Sequence, residues 1–161
     1  MTGTKPPTYT HFVTHLATHL AKIGVGQYRK DGIYKAYSPP AIYFGVIPDE
    51  AGFAIAVNVY NHITHSGRDT GTPAVYVQIR ARGNKHPHSP GEILDRIYEH
   101  LHEQSNYQLD NATHVLLSAR HLRGPEEQDK QGRWTRADSY TFTLNPDCLL
   151  YTSPSPRDAT L

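Results

Sequence analysis

The sequence predicts an α+β fold, in which a mostly antiparallel sheet of about five strands carries two helices packed on one face. Three observations support this prediction. Two segments carry apolar residues at the spacing of an amphipathic helix. Several shorter segments alternate apolar and polar residues, which is typical of strands with one buried face. Most of these strands follow one another without an intervening helix, which favours a sheet covered by helices on one side.

Both predicted helices have recognisable ends. The first is predicted over residues 9–23, and Gly24 and Gly26 are expected to end it. Its apolar stripe is Phe12, Leu16, Leu20 and Ile23. The second begins at Ser89, because Pro90 suits the first helical turn and Glu92 stands at the capping-box position. Its apolar stripe is Ile93, Leu94, Ile97, Tyr98 and Leu101.

Five segments are predicted to be strands. Residues 41–47 are almost entirely apolar, which predicts a strand at the centre of the sheet. Residues 53–60 and 74–82 alternate apolar and polar side chains, so each is expected to bury one face. After the second helix, residues 114–122 and 140–144 complete the sheet.

Two long polar segments, residues 61–73 and 123–138, are predicted to be exposed loops, and long irregular loops often have a function. The only tryptophan, Trp134, lies in the second of them. A tryptophan in such a polar turn is expected to anchor the hairpin loop, and aromatic residues are also common at protein contacts.

The domain is predicted to span residues 1–147, with residues 1–7 forming a flexible polar arm. Residues 148–158 resemble the translation of a transposon adapter used in preparing sequencing libraries. Residues 148–161 are therefore predicted to be a non-native tail without a structural role, in a gene recovered from fragmented environmental DNA. Because the only cysteine lies there, the domain itself offers no disulfide, thiolate nucleophile or cysteine zinc site.

Composition excludes several classes of function. The chain has 16 Lys and Arg against 15 Asp and Glu, a formal net charge of +1, which argues against a general affinity for nucleic acid or anionic membrane. No apolar run approaches the ~20 residues of a membrane span, and no apolar signal-peptide core follows the N-terminus. A soluble domain without membrane contact is expected.

Histidines form the pattern that most resembles a chemical site. His11, His15 and His19 recur every four residues on the first helix, and neighbouring pairs at this spacing can chelate a divalent metal. No Asp, Glu or Cys lies nearby in sequence to complete a tetrahedral site, and three turns drift around the helix. We therefore expect these histidines to lie on the solvent flank of the apolar stripe, with no metal and no cofactor bound.

Other catalytic motifs are absent from the sequence. It contains neither a Gly-x-Ser-x-Gly elbow nor a phosphate-binding or dinucleotide-binding glycine pattern, so no enzyme is predicted. Basic residues on neighbouring strands are interpreted as a solvated sheet face, although such a face could also meet DNA passing through a ring. These residues are Arg80, Arg82, Lys85, Arg120 and Arg123.

Three segments carry a resemblance to a known family. Residues 128–136 have the pattern Gln-Asp-x-x-Gly-Arg-Trp-x-Arg and lead into a tyrosine-bearing last strand. Residues 24–34 follow the first helix, and residues 75–83 form a strand and turn before the helix that contains residues 95–101. In order and spacing, these segments resemble the small minor capsid and tail terminator proteins of tailed bacteriophages.

The resemblance implies a structural virion protein and not an enzyme. Such a protein is expected to form a homohexameric ring at the head–tail junction or the end of the tail tube, where it stops tube polymerisation and joins the tail to the head. Its partners would be the tail tube and head–tail connector proteins, with a passing contact to DNA in the ring lumen. Assembly would take place in the cytoplasm of the bacterial host. The residues assigned to the assembly interface are Arg80, Arg82, Arg133, Trp134 and Arg136.

The sequence does not separate a tail terminator from another minor capsid role. Two further hypotheses stay open beside it. One is a small metal-dependent hydrolase that uses the clustered histidines, and the other is a monomeric binding module for an unknown ligand.

Overall fold

Two helices and seven strands make up the described part of the chain. The computed structural model describes residues 10–63, 73–110 and 113–145. Helix α1 spans Thr10–Lys22 and helix α2 spans Ser89–Leu101. The strands are β1 (Ala41–Phe44), β2 (Ala54–Ile63), β3 (Ala74–Arg82), β4 (Gln104–Leu109), β5 (Thr113–Arg123), β6 (Glu127–Gln128) and β7 (Trp134–Leu144). The predicted arm at 1–7, the predicted tail at 148–161 and residues 64–72 of the first polar loop lie outside the described residues.

All seven strands belong to one sheet with the order β1-β2-β3-β7-β5-β4, and β6 pairs with β7 as well. Strand β1 runs parallel to β2, and every other pairing is antiparallel. Strands β3 and β7 are the central pair, with Val77 opposite Tyr140 and Ile79 opposite Asp138. The predicted α+β class and mostly antiparallel sheet are therefore confirmed, but the sheet has more strands than the five expected.

Both helices cover the same face of this sheet, as predicted. Alternate residues of β3 and β7 point towards the helices and form one buried cluster with them. The ring of Phe12 from α1 meets the ring of Phe142 from β7 edge-to-face, with centroids 5.3 Å apart. The buried cluster also includes Leu16, Leu20, Ile55, Val57, Val75, Val77, Ile79, Leu94, Ile97, Leu101 and Tyr140.

The prediction of a central strand over 41–47 was wrong. Strand β1 is only four residues long and lies at the edge of the sheet. Its apolar character has another cause, because β1 is covered on its open side. The Gln27 amide donates to the Pro40 carbonyl, and the Ile42 amide donates to the Gln27 carbonyl, both at 2.9 Å. A strand buried in this way looks central by composition alone.

The structure also contains strands that were not predicted. Strand β4 is mostly polar and exposed because it forms the other edge of the sheet, and only its last residue, Leu109, is fully buried. Strand β7 begins at Trp134, six residues before the predicted start at Tyr140. In its first half the inward positions are held by Arg136 and Asp138, so the apolar alternation that marks a strand is missing.

The histidines of α1 serve packing as well as solvation. His11 is exposed as expected, but His15 and His19 are half-buried against β4 and β5. The His15 Nδ1 lies 2.9 Å from the Thr113 Oγ1, and the His19 ring centroid lies 5.4 Å from that of Tyr107. Burial lowers the pKa of both histidines below the ordinary value of 6.5. The expected solvent flank is therefore correct for His11 only.

These histidines predict how stability depends on pH. Because the folded protein holds fewer protons on His15 and His19 than the unfolded chain does, its free energy of unfolding should fall from about pH 7 to about pH 5. Carboxylates with lowered pKa values change the free energy of unfolding only at more acidic pH. Chemical denaturation of the His15→Gln/His19→Gln variant should show a flatter dependence, and His11→Gln is the control. An unchanged slope in the double variant would contradict this assignment.

Candidate assembly surface

The hairpin between β6 and β7 is built around Asp129. One Asp129 carboxylate oxygen accepts hydrogen bonds from the backbone amides of Gln131 and Arg133, both at 2.9 Å, and the other accepts the Arg133 guanidinium at 2.8 Å. Gly132 has φ +81°, the left-handed region that glycine enters without strain. Burial alone would raise the pKa of Asp129, but these hydrogen bonds outweigh it and lower the pKa. The Asp-x-x-Gly-Arg pattern is thus the chemistry of one tight turn.

Arg133 also ties this hairpin to the connection between β1 and β2. Its guanidinium donates to the Asp49 backbone carbonyl at 2.8 Å and lies 3.9 Å from the Asp49 carboxylate. From β3, the Arg82 guanidinium donates to the carbonyls of Pro48 and Ala51, both at 2.7 Å. The two arginines hold the 45–53 connection over the end of the sheet, because together they donate to three of its backbone carbonyl groups.

The hairpin and this connection enclose a cleft of about 490 Å³ on the face of the sheet opposite the helices. The side chain of Arg80 in β3 is half-buried at its floor. Its guanidinium has no hydrogen bond or ion pair within residues 10–63, 73–110 and 113–145. The cleft is lined by Val46, Asp49, Arg80, Arg82, Lys130 and Thr135, among others.

Arg136 does not lie on this surface, so its assignment to an interface was wrong. The residue is 1% exposed and points from β7 towards the helices. Its Nε and one terminal nitrogen donate to the two oxygens of Asp138 at 3.0 and 2.8 Å, and the same nitrogen lies 3.3 Å from an oxygen of Asp95 on α2. Burial alone would lower the pKa of Arg136, but the Asp138 carboxylate raises it overall.

The basic residues that were interpreted as one solvated sheet face are divided between the two faces of the sheet. Arg120 lies on the helix side, where its guanidinium carbon stands 4.0 Å from the centroid of the Tyr98 ring and its terminal nitrogen lies 3.3 Å from Asp138. Arg123 pairs with Glu126 at 2.8 Å. Arg120 and Arg80 therefore do not form one surface. Arg120 pairs with the buried Tyr140 of β7, because a register shift between Val115 and Leu117 changes which side chains of β5 face the helices.

Trp134 is half-buried at the base of the hairpin. Its backbone amide donates to the Asn84 carbonyl at 2.8 Å, and its carbonyl accepts the Gly83 amide at 2.9 Å. It also pairs with Gln128 across β6 and β7. The backbone of Trp134 thus joins the end of β3 to the hairpin, and these bonds do not involve the indole ring.

An aromatic cluster that was not predicted from the sequence lies on the same sheet face. Tyr60 and Tyr76 stack with ring centroids 6.2 Å apart, and the His121 Nε2 lies 3.1 Å from the Tyr60 hydroxyl. The His121 Nδ1 lies 2.8 Å from the Thr141 hydroxyl. The only signal for it was tyrosine at outward positions of two strands, since the cluster forms between residues distant in sequence.

Metal chemistry finds no support in the described residues. Within them, no three His, Cys, Asp or Glu side chains lie close enough together to hold an ion. The α1 histidines contact Thr113 and Tyr107 instead, as described above. The described helices also include none that is long and apolar enough to cross a membrane.

The arrangement of hairpin, cleft and sheet lies within the region matched by a known family. A family model described as bacteriophage tail terminator protein matches residues 19–146. The chain belongs to the bacteriophage tail terminator family. The match begins in the last turn of α1 and continues past the end of β7, so it includes the hairpin and the cleft. No curated protein matches the chain. The tail terminator family is structural rather than catalytic, and its members are virion components.

The bonds of Arg133 predict a local effect of its removal. Arg133→Ala should weaken the attachment of residues 46–53 by about 1–3 kcal/mol, because hydrogen bonds to a charged group are lost. Hydrogen–deuterium exchange of these amides and of the hairpin amides near Asp129 should accelerate by about tenfold, with little change in the rest of the sheet. Lys130→Ala, an exposed neighbour in the hairpin, is the control. Unchanged exchange in Arg133→Ala would contradict the role assigned to this arginine.

Proposed function

We propose that this chain is a ring-forming tail terminator at the head–tail junction of a tailed phage. Copies of the chain close into a homohexameric ring on the end of the tail tube, stop its polymerisation and join the tail to the head as a minor capsid component. The tube and connector proteins are its partners, and DNA passes through the lumen in transient contact with the ring. Assembly takes place in the cytoplasm of the bacterial host.

The observation that carries this proposal is the family match over residues 19–146, which covers most of the described residues. The two faces of the sheet add support, because they differ. One is covered by helices, and the other exposes a polar and aromatic surface with a cleft. A closed ring needs two unlike patches on each subunit, since every interface joins one patch to the other.

The interface proposed from the sequence is narrowed to the residues that lie around the hairpin and the cleft. Arg80, Arg133 and Trp134 are half-buried around the hairpin and cleft, and Arg82 lines the cleft from below. Arg136 is excluded because it is buried beneath the helices.

The proposal predicts the phenotype of a phage that lacks this gene. Electron microscopy of lysates should show tails of uncontrolled length, or full heads without attached tails. Expression of the wild-type gene from a plasmid should restore normal virions. These two defects distinguish length control from head joining, because only the first changes the tube. Normal virions with normal infectivity in the deletion would sink the proposal.

A further inference from the structure

The cleft beside the hairpin carries positive charge that the chain itself does not neutralise. Its two carboxylates, from Asp49 and Asp129, both lie within ion-pair distance of Arg133. Arg80 and Lys130 make no ion pair within the described residues. The cleft thus has cations without partners, while its acids are already engaged.

Arg82 adds a buried donor to the same cleft. Arg82 is only 5% exposed, and its Nε is buried without a hydrogen-bond partner in the described part of the chain. Its two good hydrogen bonds go to neutral carbonyl oxygens, not to a carboxylate. Burial first, and then the neighbouring charge of Arg133, lower the pKa of Arg82. A carboxylate brought into the cleft would therefore stabilise this guanidinium electrostatically.

A complementary surface lies on the other side of the same chain. The buried residues of α2 face the sheet, so its remaining side chains point away from it. Three carboxylates of α2 follow one another along this outward surface at spacings of three or four residues, with one arginine, Arg96, among them. A fourth lies two residues beyond the end of the helix. The four carboxylates are Glu92, Asp95, Glu99 and Glu103.

These acids are available to a partner. Glu92 and Glu99 are exposed and make no ion pair in the described residues. The Asp95 side chain is 67% exposed, although one oxygen lies 3.3 Å from Arg136. We refer to Glu92, Asp95, Glu99 and Glu103 as the acidic stripe.

We propose that the acidic stripe of one subunit docks against the Arg80–Arg82–Lys130 cleft of the next, and that this contact closes the ring. The inference rests on the proposed function, which supplies the neighbouring copies. The two surfaces lie on opposite sides of the two-layer domain, so the contact is head-to-tail and repeats from subunit to subunit. Charge complementarity of this kind sets register and selects the partner.

A second copy suits the cleft better than DNA does. The formal net charge of +1 gives the chain no general affinity for a duplex. The exposed side chain of Val46, 78% accessible, stands on the rim and favours contact with protein. In this assignment, Arg80 and Arg82 belong to the subunit contact and not to the lumen.

Charge reversal on each surface tests the pairing. The variants are Arg80→Glu/Lys130→Glu in the cleft, Glu92→Lys/Glu99→Lys on the acidic stripe, and the two combined. None of these four side chains makes a bond that folding needs, and circular dichroism checks that each variant folds. Each is expressed in a host infected by phage lacking the gene, and the yield of infectious virions is measured. Lys22→Glu/Lys30→Glu, which reverses two exposed lysines outside both surfaces, is the matched control.

Each single-surface reversal should lower the virion yield by at least about tenfold, because like charges then meet at the contact. The combined variant should recover most of that loss, and the control should behave as wild type. A wild-type virion yield from either single-surface variant would overturn the inference. A combined variant whose virion yield is no higher than that of the single-surface variants would overturn it as well. Normal virions from the gene deletion would instead refute the proposed function.

A direct binding measurement distinguishes a DNA-binding role of the cleft from the subunit contact. Purified wild type and Arg80→Glu/Lys130→Glu are titrated with a labelled DNA duplex. Lys22→Glu/Lys30→Glu, which carries the same change in net charge, is titrated as well, and it is expected to bind DNA with the same affinity as the cleft variant. A clear loss of affinity in the cleft variant alone, together with unchanged virion yield, would assign the cleft to nucleic acid and overturn the subunit contact.

Discussion

The buried pair of Arg136 and Asp138 is the interaction on which the arrangement of this domain depends. Asp138 is fully buried on the central strand β7, and its two oxygens accept both bonds of the Arg136 fork. The same carboxylate also meets Arg120 of β5 and the backbone amide of Gly124, each at 3.3 Å. One carboxylate therefore joins two neighbouring strands and the start of the connection to β6. Removal of either charge would leave the other buried with only a longer contact, from Asp138 to Arg120 or from Arg136 to Asp95, so the pair fixes these elements together.

The surface of the molecule follows from this internal anchor. A Cβ at Gly124 would collide with the Ala137 carbonyl, so the chain passes against β7 there only because the residue is glycine. A Cβ at Gly91 would stand 3.2 Å from the Arg136 guanidinium, so glycine also lets α2 approach the pair closely. These two close contacts fix the position of β7. The hairpin that precedes β7 carries Arg133, which holds the 45–53 connection beside the cleft. The buried Arg136–Asp138 pair on the helix side thus helps to position the hairpin and the cleft on the opposite face of the sheet.

Sequence patterns predicted the parts of the fold in which apolar burial decides the structure. Strand β3 was predicted at its observed bounds, because β2 and β7 leave its Val75, Val77 and Ile79 facing the helices in strict alternation. The first half of β7 was missed because a charged pair replaces apolar residues at its inward positions. Arg82 was predicted to be exposed because it alternates with Ala81, yet the 45–53 connection covers it. The burial of Arg82 depends on residues distant in sequence, so no local sequence pattern predicts it.

A double-mutant cycle on the buried pair tests this account most directly. Arg136→Met and Asp138→Asn are each expected to reduce the free energy of unfolding by about 3–5 kcal/mol, since each breaks the buried ion pair between the two side chains. The Arg136→Met/Asp138→Asn variant should lose clearly less than the sum of the two, and urea denaturation gives all three values. Single-variant losses below about 1 kcal/mol, or strictly additive losses, would contradict the claim that this pair holds the domain together.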